Sequence, residues 1–248
     1  MSSTALTSAV SAAEKFAFPL NGTIVENTTA LSRIHKTATE ALVEFTGTGA
    51  LMGWSSSEAP QSNIGWPSSV TDHDALAKDY FIQRGISASE LSQTTHFTGH
   101  STSVDTSTPD VSHVTSLGYS TSFSRVFSGF DVVDSRASVQ LNANKQAVAL
   151  HLYWPDVPIS TLQDARALQA LLVQGWAPKA GLVGSGWQVT NTRVVIHHGL
   201  AGDAAPVWQT TIRVDLTGGT KTSYIDCDGT GGRLFVYGGT VPSPQQRL

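Results

Sequence analysis

The sequence predicts an α+β fold of two tandem units, each a helix followed by an antiparallel meander of three to four strands, after an N-terminal extension that contains some β structure. Three observations predict it. The helix and strand signals occur twice in the same order, a glycine (Gly85 or Gly175) follows each predicted helix, and Ser, Thr and Gly are frequent while Lys and Glu are few, which favours strands and turns. The 248 residues, 40% of them hydrophobic, suffice for two small cores. The predicted boundaries are 1–70, 71–155 and 156–248.

The first unit begins with a helix and continues with three alternating strands. Asp72 can cap a helix whose apolar residues recur at helical spacing as far as Arg84. Residues 119–127 then alternate a largely aromatic face with a small, hydroxylated face, which is typical of a half-buried antiparallel strand. Two further alternating runs, 137–141 and 148–154, complete the predicted meander.

The second unit repeats this order. Pro155 and Pro158 end the first meander because proline cannot donate to a strand ladder. Ser160 then opens a helix with the spacing of a capping box, and Gly175 lies just past its end. The strands predicted after this helix are 187–196, 206–216 and 222–227, with a short edge strand at 234–237.

The first seventy residues carry weaker signals. The apolar runs 41–45 and 50–54 flank a turn-like segment at 46–49, which predicts a hairpin. A stretch rich in Ser, Pro and Asn at 55–69 predicts a loop.

Composition excludes several classes of function. A formal net charge of -4, with charged residues making up only 14% of the chain, leaves no basic surface for nucleic acid. No apolar run is long enough for a membrane span, and residues 1–13 lack both the basic n-region and the apolar h-region of a signal peptide. A soluble chain without a visible targeting signal is therefore expected. The single Cys227 can form no internal disulfide and leaves the compartment open.

The histidines do not form a metal motif. His96 and His100 are four residues apart and would share a metal only on a helix, which the surrounding threonines and serine disfavour. The adjacent His197 and His198 end a β run, so their side chains are expected to point to opposite faces. The sequence therefore predicts no metal site from these residues.

Two glycine-containing segments resemble ligand-binding loops but depart from them. The Asp-Cys-Asp-Gly run at 226–229 lacks the later oxygen ligands of a calcium loop, so its aspartates are expected to cap backbone amides in a closing turn. The glycines at 47–53 miss the spacing of a dinucleotide fingerprint, and no long helix follows them. No cofactor is predicted.

A candidate site lies on the first meander. Arg125 shares a strand face with aromatic residues, and Asp131 and Asp134 follow the next turn. One interpretation is a partly buried Arg–Asp pair, and the other is a pocket between sheet and helix for an anion or a polar small molecule. If the chain is an enzyme, His96 and His100 join these three residues as candidate catalytic groups. The side chains expected to bind a ligand are Trp54, Trp66, Tyr119, Phe123, Tyr153 and Trp154.

Both units contain sequence motifs that are similar to those of a known family. Residues 119–154 comprise an aromatic strand, a Gly-containing turn, a strand leading into Asn-Ala-Asn-Lys at 142–145, and a hydrophobic exit strand. The second unit has Pro-Val-Trp opening a strand at 206–208 and Tyr-Ile-Asp-Cys-Asp-Gly-Thr-Gly-Gly at 224–232. These features resemble the PepSY and fungalysin/thermolysin-propeptide-like domains, as two tandem copies at 72–154 and 160–237.

The resemblance implies a role without conventional catalysis. Such domains act as inhibitory or chaperoning propeptides of metalloproteases, as regulators of extracytoplasmic enzymes, or as freestanding modules. The chain contains no His-Glu-x-x-His, so any protease that it inhibits is another chain. The resemblance also favours an extracytoplasmic location.

Three functions follow from these patterns. The leading hypothesis is a noncatalytic binding or regulatory module that holds a peptide, protein or protease partner on a sheet face or edge. The alternative is a small-molecule isomerase or cyclase of a biosynthetic pathway, with a pocket between the two sheets. A structural role in a surface assembly is the third, and it predicts polymerisation in solution.

Overall fold

A computed structural model of the chain describes residues 25–29, 32–37, 40–45, 50–55, 70–104, 111–141, 147–200 and 206–234. These residues form two helices, α1 Val70–Gln83 and α2 Ile159–Val173, and eleven strands. The strands are β1 Val25–Thr28, β2 Ser32–Lys36, β3 Glu40–Phe45, β4 Ala50–Ser55, β5 Leu91–Val104, β6 Val111–Phe127, β7 Phe130–Leu141, β8 Ala147–Tyr153, β9 Gln188–Leu200, β10 Pro206–Gly218 and β11 Lys221–Cys227.

The strands form a mixed sheet. Nine of them follow one another in the hydrogen-bonded order β1-β2-β3-β4-β8-β7-β9-β10-β11, while β5 pairs with β6 and β6 with β7. The pairs along this order are antiparallel, apart from β7 with β9, which is parallel. The predicted α+β fold of two helix-and-meander units is therefore wrong, because the described residues form one mostly β, mixed sheet with two helices.

The strand β7 is the main reason for the difference. Its first half pairs in parallel with β9 through Asp131 and Val132, and its second half, from Arg136, pairs antiparallel with β8. Its buried positions are even-numbered up to Val132 and odd-numbered from Ser135, so the alternation slips by one residue at 133–134. Local alternation reports which side chains are buried and not which strand is the neighbour, so it could not reveal this double pairing.

The described residues form two compact units. Unit 1 contains the described residues up to Arg125 together with Ser135–Asp156, and unit 2 contains Val126–Asp134 and the described residues from Val157 onward. The strand β7 thus gives its first half to unit 2 and its second half to unit 1. The tandem boundaries after residues 70 and 155 stay predictions.

The N-terminal strands belong to the sheet of unit 1. The strands β3 and β4 form the predicted hairpin, and β4 then pairs with β8, where Leu51 lies opposite Leu152. Leu42 and Leu51 are buried in the same core as Leu152. The strands β3 and β4 are therefore part of the sheet. The predicted turns at 46–49 and 142–146, the loop beyond Ser55, and the edge strand beyond Leu234 lie outside the described residues.

The helices begin close to their predicted positions, but the predicted capping residues Asp72 and Ser160 lie inside them. The helix α1 begins at Val70, so Asp72 lies inside its first turn. The helix α2 begins at Ile159 after Pro158, and no side chain caps it, so the predicted capping box is wrong. Proline fits at a helix start because the first amides have no helical acceptor. The predicted glycine stops are confirmed, since both Gly85 (φ 86°) and Gly175 (φ 87°) adopt the left-handed conformation.

Each unit has its own core. In unit 1, the buried rings of Phe81 and Phe123 meet edge to face, with 6.1 Å between their centroids. In unit 2, α2 packs on one face of the sheet. The buried residues of that core are Phe130, Val132, Ala165, Val194, Ile196 and Ile212.

Two glycines with similar backbone angles should respond differently to alanine. A Cβ at Gly231 (φ 81°) would lie 2.8 Å from the Ala177 carbonyl oxygen, whereas nothing lies within 4 Å of a Cβ at Gly175 (φ 87°). We expect Gly175→Ala to cost about 1 kcal/mol of unfolding free energy, from backbone strain alone. Gly231→Ala should cost about 2–3 kcal/mol because the clash adds to that strain. Urea denaturation of both variants tests this, and equal losses would contradict it.

Candidate functional site

The sheet of unit 2 has a polar face opposite α2. The alternate residues Val194, Ile196 and Ile212 pack against the helix, so their neighbours along β9 and β10 point to the other side. That side carries His197, Thr211 and Arg213, all buried. With Asp226 of β11 and Asp134 of β7 these residues form a hydrogen-bonded cluster, which we call the polar network.

The Arg213–Asp226 pair is the centre of the polar network. Arg213 donates from Nε and Nη2 to the two carboxylate oxygens of Asp226, at 2.9 and 2.8 Å. The residues are only 8% and 4% exposed, and the guanidinium lies 3.8 Å from the centre of the Tyr224 ring. Burial alone would lower the pKa of Arg213, but the bonds and charge of Asp226 outweigh it and raise that pKa. Arg213 therefore stays charged, and its bonds to Asp226 join β10 to β11.

His197 joins this pair to Asp134. Its Nδ1 lies 3.4 Å from Asp134 Oδ2, and its Nε2 lies 3.3 Å from the Thr211 hydroxyl oxygen and 3.7 Å from Asp226 Oδ2. The Thr211 hydroxyl donates to Asp226 Oδ1 at 3.2 Å. Asp134 also accepts from the His198 amide at 3.0 Å. Burial raises the pKa of Asp134, but its bonds from His197 and His198 outweigh that effect and lower the pKa overall.

His198 points to the opposite face, as predicted from its position on the strand. Its ring stacks on Trp208 with centroids 4.2 Å apart, on the side of the sheet that carries α2. Burial lowers the pKa of His198, and the charge of Asp134 opposes this shift only in part. The two adjacent histidines therefore lie in different environments, on opposite faces of the sheet.

The chemistry of the polar network favours a structural role. Asp226 accepts bonds from Arg213 on both oxygens and from Thr211, and His197 has an oxygen facing each ring nitrogen. Catalytic groups need a position at which a substrate atom can bind. Here the described partners occupy these positions, so the polar network holds strands β9, β10 and β11 in register.

A more exposed group of charges lies on the same face. Arg193 donates to Asp131 at 3.0 Å and also to Asp215. These side chains are between a quarter and a half exposed, so solvent weakens the ion pairs. Asp131 thus forms a surface ion pair with Arg193.

The strand β11 presents one side to β10 and leaves the other without a neighbouring strand among the described residues. Gly218 and Lys221 pair across the two-residue turn, so hydrogen-bonded pairs with β10 recur at Ser223 and Ile225. The backbone N–H and C=O groups of Thr222 and Tyr224 therefore point outward. We call residues 221–225 the β11 edge.

The β11 edge ends where the chain turns back beside it. The Leu234 amide donates to the outward carbonyl of Asp226 at 2.8 Å, and Arg233 forms a bridge with Cys227. Before this point, the outward groups of Thr222 and Tyr224 have no hydrogen-bond partner among the residues that the structure describes.

The turn after β11 uses its aspartate as predicted. Asp228 accepts from the amides of Thr230 and Gly232, at 2.8 and 2.9 Å, and from the Thr230 hydroxyl. Asp226 does not cap amides, since its carboxylate is bound by Arg213, so that half of the prediction is wrong. Burial, together with Asp226 and Asp228, raises the pKa of the Cys227 thiol to about 11, which makes it a poor nucleophile near neutral pH.

The predicted site around Arg125 has a different partner. Arg125 is 4% exposed, donates from Nε to Glu90 at 2.8 Å and lies 4.9 Å from the Trp154 ring centre. Trp154 Nε1 also donates to Glu90, at 3.1 Å. The predicted Arg–Asp pairing is therefore replaced by Arg125–Glu90 within unit 1, while Asp131 and Asp134 bind partners in unit 2.

The other predicted ligand-binding side chains do not form one described group. Phe123 is buried in the core of unit 1, and Tyr153 is half-buried. Trp54 and Tyr119 lie on β4 and β6, but their side chains are outside what the structure describes, and Trp66 lies outside the described residues altogether. Their roles in binding stay predictions.

His96 and His100 lie on β5, a strand that the sequence did not predict. Four residues along a strand span about 13 Å, which is too far for two side chains to share one metal ion. His96 is exposed, with Nδ1 3.7 Å from Asp74 Oδ2, and the side chain of His100 is outside what the structure describes. Within the described ranges, no three His, Cys, Asp or Glu side chains are grouped to hold a metal ion.

Sequence reasoning missed a buried histidine in unit 1. His73 Nε2 accepts from the Leu141 amide at 3.2 Å, so the proton is on Nδ1, which lies 2.8 Å from the Thr121 hydroxyl oxygen. That hydroxyl donates to Asp74 at 2.6 Å. Burial lowers the pKa of His73 to about 4, although the charge of Asp74 opposes the shift. No local pattern could have revealed these contacts, because Thr121 comes from β6 and Leu141 from β7.

Comparison with known proteins identifies no family. No family model and no curated protein matches the chain. A crystal structure of an uncharacterized protein from Eubacterium rectale aligns with 93% of this chain and 83% of its own, with a TM-score of 0.45 and 9% identity. The YpeB C-terminal domain of Bacillus megaterium aligns with 90% of this chain and 91% of its own, with a TM-score of 0.38 and 10% identity. Neither likeness is close enough to carry an argument about function.

The described helices are also short for a membrane. Neither α1 nor α2 has the length and apolar character needed to cross a bilayer.

Proposed function

We propose that this protein is a noncatalytic binding module that holds an extended segment of a partner protein on the β11 edge. The observation that carries the proposal is the outward-pointing N–H and C=O groups of Thr222 and Tyr224, which have no hydrogen-bond partner among the described residues. An extended peptide satisfies such groups by adding a strand to the sheet.

The polar network supports this use of the strand. Arg213 donates to both carboxylate oxygens of Asp226 and lies over the Tyr224 ring, so it fixes one residue of the β11 edge and the residue directly after it. A strand held in one register loses little conformational freedom when a partner adds to it. The hydrogen bonds of the polar network occupy its buried polar groups, which favours a binding function of the protein over a catalytic one.

The sequence resemblance supports a protein partner. The run at 224–232, which resembles the close of PepSY-type domains, forms the end of β11 and the turn after it. Regulation or inhibition of a partner enzyme is the role that this resemblance implies.

Replacing Thr222 with proline tests the proposal. Proline removes the outward N–H of Thr222 but no bond to β10, because that residue lies at a non-hydrogen-bonded position of the pair. We expect peptides selected from a random displayed library to bind Thr222→Pro at least about tenfold more weakly than the unmodified protein. Binding is measured by fluorescence anisotropy.

Thr222→Val is the matched control, since it keeps the N–H and the β-branched shape. It should bind the same peptides with nearly unchanged affinity. Equal binding by the proline variant, or failure of the library to yield any peptide at micromolar concentration, would overturn the proposal.

A further inference from the structure

The side chains of the β11 edge define two positions on one face. Lys221, Ser223 and Ile225 alternate with Thr222 and Tyr224, so the first three share the face that carries α2. Lys221 is exposed at the turn, and Ile225 is half-buried at the other end. A partner strand therefore meets a cation and an apolar surface about 13 Å apart.

The apolar position is part of a larger surface. Ile225 packs against a core of Val214, Leu216 and Cys227, together with the half-buried Trp187. The indole of Trp187 also closes over Gly218, where an added Cβ would come within 3.1 Å of the ring. An apolar side chain placed beside Ile225 would extend this cluster.

The cationic position lacks a carboxylate of its own. The ammonium group of Lys221 forms neither an ion pair nor a hydrogen bond with any residue that the structure describes. Asp215 and Asp226 lie on the opposite face of the sheet and are paired with Arg193 and Arg213. Although the chain carries a net charge of -4, this end of the edge is locally positive.

We infer that the β11 edge selects an extended segment in which an apolar residue is followed, four positions later, by Asp or Glu. This inference rests on the proposed function. In an antiparallel pair, the partner residue opposite Ile225 comes first and the residue opposite Lys221 comes four positions later. Antiparallel pairing also lets Thr222 and Tyr224 each exchange two hydrogen bonds with one partner residue. The carboxylate then lies beside the Lys221 ammonium, and the apolar side chain lies beside Ile225.

Three nine-residue threonine-rich peptides test this inference by fluorescence anisotropy. The first has valine third and glutamate seventh, the second has lysine in place of that glutamate, and the third exchanges the valine and the glutamate. We expect the first to bind about fivefold more tightly than either of the others. The difference from the lysine peptide should shrink in 1 M salt because the charges are exposed.

The variants Lys221→Glu and Thr222→Pro separate the two proposals. Lys221→Glu should reverse the preference, so that the lysine peptide binds more tightly than the glutamate peptide. An unchanged preference, equal binding of all three peptides, or no binding of any of them would overturn the inference. If the peptides bind without this preference and Thr222→Pro still weakens them, the proposed function stands while the inference fails. If Thr222→Pro has no effect on bound peptides, both fail.

Discussion

The Arg213→Met variant should lose about 3–5 kcal/mol of unfolding free energy. The substitution removes the cation that faces Asp226. Because Asp226 is only 4% exposed, its carboxylate is left buried without its main partner. It also removes the guanidinium from the Tyr224 ring. Urea denaturation followed by tryptophan fluorescence and circular dichroism measures the loss.

Two further variants show whether burial is the cause. Arg193→Met removes an arginine that is 35% exposed in its side chain, so it should cost less than about 1 kcal/mol. The double variant Arg213→Met, Asp226→Leu should be more stable than Arg213→Met alone, since no charge is then left buried. A loss below about 1 kcal/mol for Arg213→Met would contradict the role assigned to this pair.

Acidification from pH 6.5 to pH 4 should cost about 3 kcal/mol of stability through His73 alone. The pKa of His73 is lowered from 6.5 to about 4 in the folded protein, so the unfolded chain binds this proton at higher pH. Stability is therefore fully present above pH 6.5, falls as the pH drops towards 4, and loses nothing further from this group below that. Protonation also removes the lone pair that accepts the Leu141 amide.

The comparison with His73→Gln isolates this effect. Glutamine can still donate and accept hydrogen bonds but does not titrate. The difference in unfolding free energy between the two proteins, measured by urea denaturation at intervals from pH 4 to pH 7, should shrink by about 3 kcal/mol towards the acidic end. A difference that stays constant with pH would show that His73 is not held neutral.

Local chemistry predicted several elements well. The glycine stops at Gly85 and Gly175 depend only on the left-handed conformation that ends a helix, and the β3–β4 hairpin depends on two short apolar runs around a turn. The capping box at Ser160 was wrong because Pro158, two residues earlier, already occupies the helix start. Such features lie within a few residues of one another, so the sequence displays them directly.

The sheet order depends on contacts that no local pattern shows. The parallel pairing of Val132 with Ile196 joins residues far apart in the chain, and so does the pairing of Leu51 with Leu152. The strand β5 was missed because its threonines and serines resemble a polar connection, although such residues also suit an exposed strand. The repeated order of signals predicted two helix-and-meander units, which the described residues do not form.

The candidate site was limited in the same way. Sequence alternation placed Arg125 on an aromatic face but could not identify Glu90 as its partner, since the two residues meet only through the fold. The polar network likewise joins His197, Arg213 and Asp226 from three strands. Each of these residues alone resembles an ordinary strand residue, and only their burial together distinguishes them.

Amide hydrogen exchange along β11, followed by NMR, tests the central claim most directly. In the free protein, the amides of Thr222 and Tyr224 should exchange fast, while those of Ser223 and Ile225, which bond to β10, should exchange slowly. Saturation with the valine–glutamate peptide should slow Thr222 and Tyr224 by at least about tenfold and leave Ser223 and Ile225 nearly unchanged. Unaltered exchange at Thr222 and Tyr224 in the peptide complex would contradict binding at the β11 edge.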